Sequence, residues 1–342
     1  MNRHDRSMST GSNDITDIPG LLVGQRHDAG LCSGVTVVLC ERPMVAAVDV
    51  RGGAPGTRDT DLLDPAMTVQ EIDAIVVSGG SAYGLDAASG VQAALREQGR
   101  GFAIGGITVP IVPGVILFDL LNGGNKDWDR YPPYREMAYE AAKAATRGVE
   151  LGSAGAGYGA TTVNFRGGVG SASATTRSGF AVAALVAVNA VGSATVGDGP
   201  HFWAGPFERD AEFGGLGPAP HVPPEALAPR GKHAPQPAAI ATTPAVVATD
   251  ARLDKASARR FAMMAQDGMA RALYPVHTPV DGDTVFALAS GDRPVADPVA
   301  DMIEIGTEAA NCLARAIARA VFEAGRQGAG ASTLPAWRDR FG

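Results

Sequence analysis

The sequence predicts a mixed α/β protein, built as a layered sandwich of sheets and helices. Three observations lead there. The 44 Gly and 23 Pro among 342 residues punctuate the chain too often for a bundle of long helices. Short runs rich in β-branched residues alternate with stretches of helical period. The last third reads strand, helix, strand, helix, an order that stacks helices on a sheet. A hydrophobic share of 45% excludes wholesale disorder, and the length suits one large domain or two ordinary ones.

The elements follow in order. Val35–Leu39 and Val45–Val50 read as strands, with a turn expected at Glu41-Arg42-Pro43. After a loop from Arg51 to Thr57, Ile72–Val77 reads as a buried strand. It runs through Ser78-Gly79-Gly80-Ser81 into a helix over Gly84–Glu97, with Leu85, Ala88, Val91 and Leu95 at helical spacing. Val109–Gly114 is extended and leads into the apolar Val115–Leu120. A helix is expected over Tyr134–Thr146. Gly152–Thr176 carries too many glycines for a helix and reads as loops and strand edges. Val182–Val188 is a strand ending at Asn189. The Pro-rich stretch 214–239 reads as an exposed connection. Beyond it come a strand over Ala245–Thr249, a helix over Asp254–Leu273, a strand over Thr284–Ala289 and a helix over Met302–Glu323.

Charge excludes several functions. The net charge of -7 and a pI near 5.4 argue against binding a phosphate backbone, and no polybasic patch is present. Cys32, Cys40 and Cys312 form no CxxC pair, which fits a reducing, cytoplasmic setting. The polar start, Met1–Thr16, predicts no signal peptide, and no apolar run nears the ~18 residues of a membrane span. His4, His27, His201, His221, His233 and His277 form none of the usual metal-binding spacings, so no metal and no cofactor are expected.

Three places can carry chemistry. Gly79-Gly80-Ser81-Ala82-Tyr83-Gly84 follows a strand and opens a helix, but it satisfies neither GxGxxG nor GxSxG. It reads as a tight turn whose N–H groups can still face a ligand. At Ala241-Thr242-Thr243 the Pro-rich connection ends and a buried strand begins. Thr242 is either a β-forming residue at a strand start or a nucleophile exposed by self-cleavage. In the second case the freed α-amine, with an ordinary pKa of about 7.7–8, can serve as the base for its own hydroxyl. Asp281-Gly282-Asp283 puts two carboxylates beside a strand start, as an acidic turn or as a pair that tunes an amine. Asn189 is a turn residue or a donor to a developing oxyanion.

Taken together and in order, the motifs resemble one family. They are Arg51–Arg58, Ser78–Gly90, Val109–Pro113, Leu117–Asp119, Gly155–Gly157, Gly167-Gly168, Val188–Gly192, Val247–Ala251, Asp267–Arg271 and His277–Thr284. The chain resembles the L-aminopeptidase/D-esterase family of self-processing N-terminal-nucleophile hydrolases, which includes β-aminopeptidases and nylon-oligomer hydrolases. The resemblance spans Ile18 to Glu323.

It implies a four-layer αββα sandwich, α/β (α+β) in class, of the aminopeptidase/ornithine-acetyltransferase type. It implies one domain over 1–342, cut into chains 1–241 and 242–342. It implies a small peptide, amino-acid amide or ester as substrate, and a homo-oligomer, commonly a tetramer. By position, Thr242 looks like the nucleophile, Asn189 the oxyanion-side asparagine, and Asp281 and Asp283 the acidic pair. Tyr83, Phe118 and Tyr158 are candidates to line the pocket. The sequence departs from the family at Ala241, where an Asn usually precedes the nucleophile, and at Asn164, where one branch carries Lys. The related ornithine acetyltransferases cleave at Ala-Thr. An acyltransferase of that type, and an unprocessed binding relative, are the alternatives to a self-processing amidohydrolase.

Overall fold

The structure, a computed structural model, describes residues 11–232, 241–325 and 333–342. Its strands are β1 (Leu21–Asp28), β2 (Ser33–Val50), β3 (Thr57–Arg58), β4 (Glu71–Ser78), β5 (Phe102–Ile104), β6 (Ile107–Val109), β7 (Gly114–Ile116), β8 (Gly168–Thr175), β9 (Ala181–Val188), β10 (Pro244–Ala251) and β11 (Thr284–Arg293). Its helices are α1 (Ala87–Glu97), α2 (Tyr134–Lys143), α3 (Lys255–Ala272), α4 (Ala300–Phe322) and α5 (Trp337–Phe341). Nine strands join in the order β3-β7-β4-β2-β11-β10-β9-β8, with β1 also on β2, while β5 and β6 form a separate hairpin. The pairs β4–β7 and β10–β11 are parallel and the others antiparallel.

The long strand β2 belongs to both halves of this sheet. Its first half pairs with β1 and β4, and its second half, Val45–Val50, pairs with β11. The two halves face each other across an apolar layer that includes Val38 and Cys40 of β2, Ile75 and Val77 of β4, Leu185 of β9, Val246 of β10 and Phe286 of β11. Helices α1 and α2 cover the outer face of the first half against Val35, Val37 and Val76. Helices α3 and α4 cover the second half against Val186, Val247 and Val285. The result is the expected αββα order, with β2 running through both sheet layers.

Burial on both faces explains the continuous apolar runs. In β9, Val182, Ala184, Val186 and Val188 point at the helices, while Ala183, Leu185 and Ala187 point between the sheets. Such a strand has no solvent face to require alternation. In α3 the row Phe261, Ala265, Met269 is fully buried and Leu273 caps it. Gly268 lets α3 approach α4, since a Cβ there would stand 2.3 Å from the Ala310 carbonyl oxygen.

Two expectations are corrected. No turn forms at Glu41-Arg42-Pro43. Those residues are exposed, and β2 continues through them with a register irregularity between Leu39 and Met44. Within the stretch read as loops and strand edges, Gly168–Thr175 is a regular strand. Its glycines make room for α4, because a Cβ on Gly170 would lie 1.9 Å from the Ala316 carbonyl oxygen. The connection is mostly exposed over 214–231, but it carries a short 3-10 turn at Pro224–Leu227 and ends on a buried Lys232. Its residues 233–239, with Pro235 and Pro237, lie outside the described residues, as do His4 and His233. No helix of the described residues is long and apolar enough to cross a membrane.

Candidate active site

Three strand ends converge on the junction. Thr242 stands two residues before the start of β10, whose neighbours in the sheet are β9 and β11. Asn189 ends β9, and its carbonyl accepts the Thr242 N–H at 3.0 Å. On the other side Ala241 forms a parallel bridge to Asp281, donating its N–H to the Val280 carbonyl at 3.0 Å. The Ala241–Thr242 peptide is therefore held from both sides by sheet-type hydrogen bonds. Its carbonyl oxygen accepts the Gly282 N–H at 2.8 Å and the Thr242 hydroxyl at 2.7 Å. An N–H aimed at this oxygen stabilises negative charge that develops there.

Glycines permit this packing. A Cβ on Gly282 would meet Thr242 Oγ1 at 2.5 Å. The Arg51-Gly52-Gly53-Ala54 loop lies on the back of the acidic turn. Ala54 N–H donates to the Asp281 carbonyl at 2.8 Å and Arg51 N–H to the Asp283 carbonyl at 3.0 Å. Cβ atoms on Gly52 and Gly53 would stand 2.3 Å from the Asp281 carbonyl oxygen and 2.6 Å from that of Pro279. That motif thus serves backbone-to-backbone contact.

The two carboxylates brace the turn. Asp283 accepts the Thr243 N–H at 3.0 Å through Oδ1, and the His277 N–H and ring Nδ1 at 3.0 and 2.9 Å through Oδ2. Asp281 accepts from Thr278 N–H and Oγ1 at 3.0 and 2.6 Å, and from Val191 N–H at 3.2 Å. Burial, and then the charge of Asp283, push the Asp281 carboxyl above its usual range.

The Asn189 side chain is fully engaged. Nδ2 donates to the Phe118 carbonyl at 2.8 Å. Oδ1 accepts from Thr161 N–H at 3.1 Å, Asn122 Nδ2 at 3.2 Å and Lys232 Nζ at 2.7 Å. Lys232 also donates to the Thr161 carbonyl at 2.8 Å. Burial pulls its pKa down to about 7, against the opposing pull of Asp281 and Asp119. Of the pocket candidates, Phe118 reaches this cluster through its backbone. The Tyr83 ring sits edge-on to Trp128 and the Tyr158 ring stacks on His27. The Gly79-Gly80 turn faces inward, where Gly80 N–H donates to Asp119 at 2.8 Å and Ser33 Oγ donates to the same carboxylate at 2.6 Å.

A family model described as peptidase family S58 matches residues 13–332. An uncharacterized aminopeptidase of Mycobacterium leprae is 44% identical over 93% of this chain and 92% of its own length. The chain belongs to peptidase family S58. A 6-aminohexanoate-oligomer endohydrolase of Kocuria sp. is 29% identical over 83% of this chain and 77% of that protein. Among solved structures, a Burkholderia sp. β-aminopeptidase superposes with a TM-score of 0.65 at 22% identity, covering 94% of this chain and 90% of that one. The L-aminopeptidase D-Ala-esterase/amidase of Ochrobactrum anthropi gives 0.62 at 18%, covering 94% and 89%. At those identities the likeness is one of fold, the Ntn-hydrolase fold. This S58 member is a peptidase or amidase.

Sequence reasoning missed several residues of the cluster in this S58 chain. The Gly282 N–H carried no signal beyond its place between two aspartates. Thr161 and Asn122 are polar residues with no distinguishing spacing, and His277 stood in the His277–Thr284 motif without a role of its own. Lys232 had one available signal: it is one of only four lysines, and it lies just upstream of the junction. Among the described residues no three His, Cys, Asp or Glu side chains gather into a metal site.

Proposed function

We propose that the chain cuts itself between Ala241 and Thr242, and that Thr242 is then the nucleophile of an aminopeptidase or amidase. Thr242 Oγ1 attacks the Ala241 carbonyl carbon and the C–N bond breaks. The hydroxyl proton passes to the Thr242 nitrogen. That shift frees the Thr242 amine, and water then hydrolyses the resulting ester, releasing the Ala241 carboxylate and restoring the Thr242 hydroxyl. That amine takes the hydroxyl proton when Oγ1 attacks a substrate carbonyl, and returns it to the leaving amine or alcohol. The substrates are small peptides, amino-acid amides or esters cleaved at their N-terminal residue. The name of the Kocuria relative adds 6-aminohexanoate oligomers, cut at an internal amide, as a second candidate.

The observation that carries this reading is the Gly282 N–H on the Ala241 carbonyl oxygen, with the Thr242 hydroxyl on the same oxygen. Asp283 and Asp281 hold the turn that presents the N–H, and would lie beside the new amine. An acyltransferase with an amine acceptor in place of water is favoured only by the Ala-Thr junction. Release of acyl-enzyme by ornithine faster than by water would select it.

A denaturing gel with intact mass tests the cut. The wild-type chain yields pieces of 241 and 101 residues, and Thr242→Ala stays whole at 342 residues and hydrolyses no amino-acid p-nitroanilide. A Thr242→Ala chain that still splits, or still turns over substrate, overturns the assignment.

A further inference from the structure

After the proposed cut, Thr242 has to be held in other ways than before. The bonds to the Val280 carbonyl and from the Gly282 N–H belong to Ala241, which then ends the other chain. The Thr242 nitrogen bonds the Asn189 carbonyl, but as a free amine it turns about its own Cα and no longer holds a peptide plane. The chain that carries the nucleophile begins Thr242-Thr243-Pro244, and Pro244 has no N–H to give. Between the new terminus and Ala245 the Thr243 N–H is the sole peptide donor, and it goes to Asp283 Oδ1 at 3.0 Å. That bond fixes the peptide plane directly behind the nucleophile.

The hold on Thr243 depends on which way Asp283 faces, and His277 sets that. Its N–H and ring Nδ1 both donate to Asp283 Oδ2, at 3.0 and 2.9 Å, which leaves Oδ1 for Thr243. Two donors from one residue stop the carboxylate from turning. Thr278 pinches Asp281 in the same way, but the other oxygen of Asp281 serves Val191 and not the new chain. The pinch on Asp283 holds His277 at a φ of 55°, in the left-handed region that a residue with a Cβ seldom enters. Backbone strain of this kind persists where the surroundings enforce it, and it clusters at active sites. The ring is 19% exposed and the Asp283 side chain 2%, so a substitution at 277 removes the donor without opening the core.

We infer that His277 is a positioning residue for the Thr242 nucleophile: its two donors orient Asp283, whose other oxygen holds the Thr243 N–H, and so aim the Thr242 hydroxyl and amine at a substrate carbonyl. The inference rests on Thr242 as the nucleophile. In this role the ring moves no proton and binds no substrate, and it acts only as a donor to the carboxylate. A nucleophile out of place loses rate rather than affinity, because reaction needs a near-attack geometry that binding does not. The effect therefore falls on kcat. It falls harder on turnover than on self-cutting, because in the uncut chain the two Ala241 bonds brace the junction as well.

The test uses the full-length chain, with cutting followed on a denaturing gel and hydrolysis of amino-acid p-nitroanilides measured per cut molecule. His277→Gly removes the ring and accepts the positive φ without strain. His277→Asn accepts it too, and keeps an N–H where Nδ1 stands but no ring to act as a base. His277→Gly should lower kcat at least about 10-fold, the loss of a hydrogen bond to a charged acceptor, and leave KM within about 2-fold. Its cutting should slow less than its turnover, and His277→Asn should recover most of the kcat. His277→Ala replaces the glycine variant if the latter melts too low to assay. A kcat for His277→Gly within about 2-fold of wild type, a loss carried by KM, or no recovery in His277→Asn overturns the inference alone. A wild-type chain that never splits on the gel sinks the self-cleavage reading, and this inference with it.

Discussion

Two glycine turns in this molecule each sit at a strand end beside a buried carboxylate, and they do different things. The turn at Gly79-Gly80 leaves β4 and directs an N–H at Asp119, which also accepts from Ser33. The turn at Gly282 leads into β11 and directs its N–H at the buried Ala241 carbonyl. In the first, the glycine N–H is one of the donors that satisfy a buried carboxylate. In the second, two carboxylates are satisfied by Thr278, Val191, Thr243 and His277, and the glycine N–H is left for the Ala241 carbonyl. Glycine density alone does not mark a site. What the freed N–H faces decides it.

Substitutions can break this comparison. Gly282→Ala should have the largest effect on chemistry, since its Cβ would stand 2.5 Å from Thr242 Oγ1 and 2.8 Å from the Ala54 carbonyl oxygen. Fragment appearance on a gel should slow at least ~100-fold, the usual loss of an oxyanion donor. Cutting at the wild-type rate would refute the role given to that N–H. Gly79→Ala should act on stability instead, with its Cβ 2.2 Å from Ser33 Oγ and 2.3 Å from an Asp119 oxygen. Urea unfolding of the uncut chain should show a loss of about 2–4 kcal/mol. Per folded molecule, cutting should fall far less than in Gly282→Ala, and an equal fall would make the two turns one machine.

Asp283→Ala sharpens the contrast at smaller scale. It leaves the N–H groups of Thr243 and His277 without their acceptor, a cost of about 1–3 kcal/mol for each group that water does not reach. Slower cutting with a modest fall in melting temperature is expected, and Asp283→Asn, which keeps an acceptor oxygen, should recover part of both.

The gentlest probe is pH. The folded pKa of Lys232 is depressed to about 7 from an ordinary 10.5. Between those values the unfolded chain binds more protons than the folded one, so stability contributed through Lys232 rises with pH across that window and is level below it. Against Lys232→Met, both in the Thr242→Ala background, the melting-temperature difference should therefore move in favour of Lys232 from pH 7 to 10. A difference constant with pH would mean that the ammonium is hydrated.

Much of the fold is legible locally. Strands β9, β10 and β11 and helix α3 announce themselves by apolar runs and by the Phe261, Ala265, Met269 row. Glu41-Arg42-Pro43 misleads because a proline and two charges usually end a strand. Here they are exposed on a strand that carries on. Gly168–Thr175 misleads because its glycines answer to α4, which lies well over a hundred residues further along the chain. In the candidate site, Thr242, Asn189, Asp281 and Asp283 stood out by position and by resemblance. Lys232 did not, because a lysine among prolines looks solvated until its partners are known.

By itself the sequence determined the alternation of strands and helices, the burial of both sheet faces and the change of character at Ala241-Thr242. These follow from periodicity and composition within short windows. The tertiary structure alone decided that Gly282 faces the Ala241 carbonyl and that Lys232 ends on Asn189. Both contacts join residues about 40 positions apart, and no local preference specifies them. The register of β10 between β9 and β11 brings the first pair together. The second places an ammonium against the end of β9, where burial and two carboxylates set its charge.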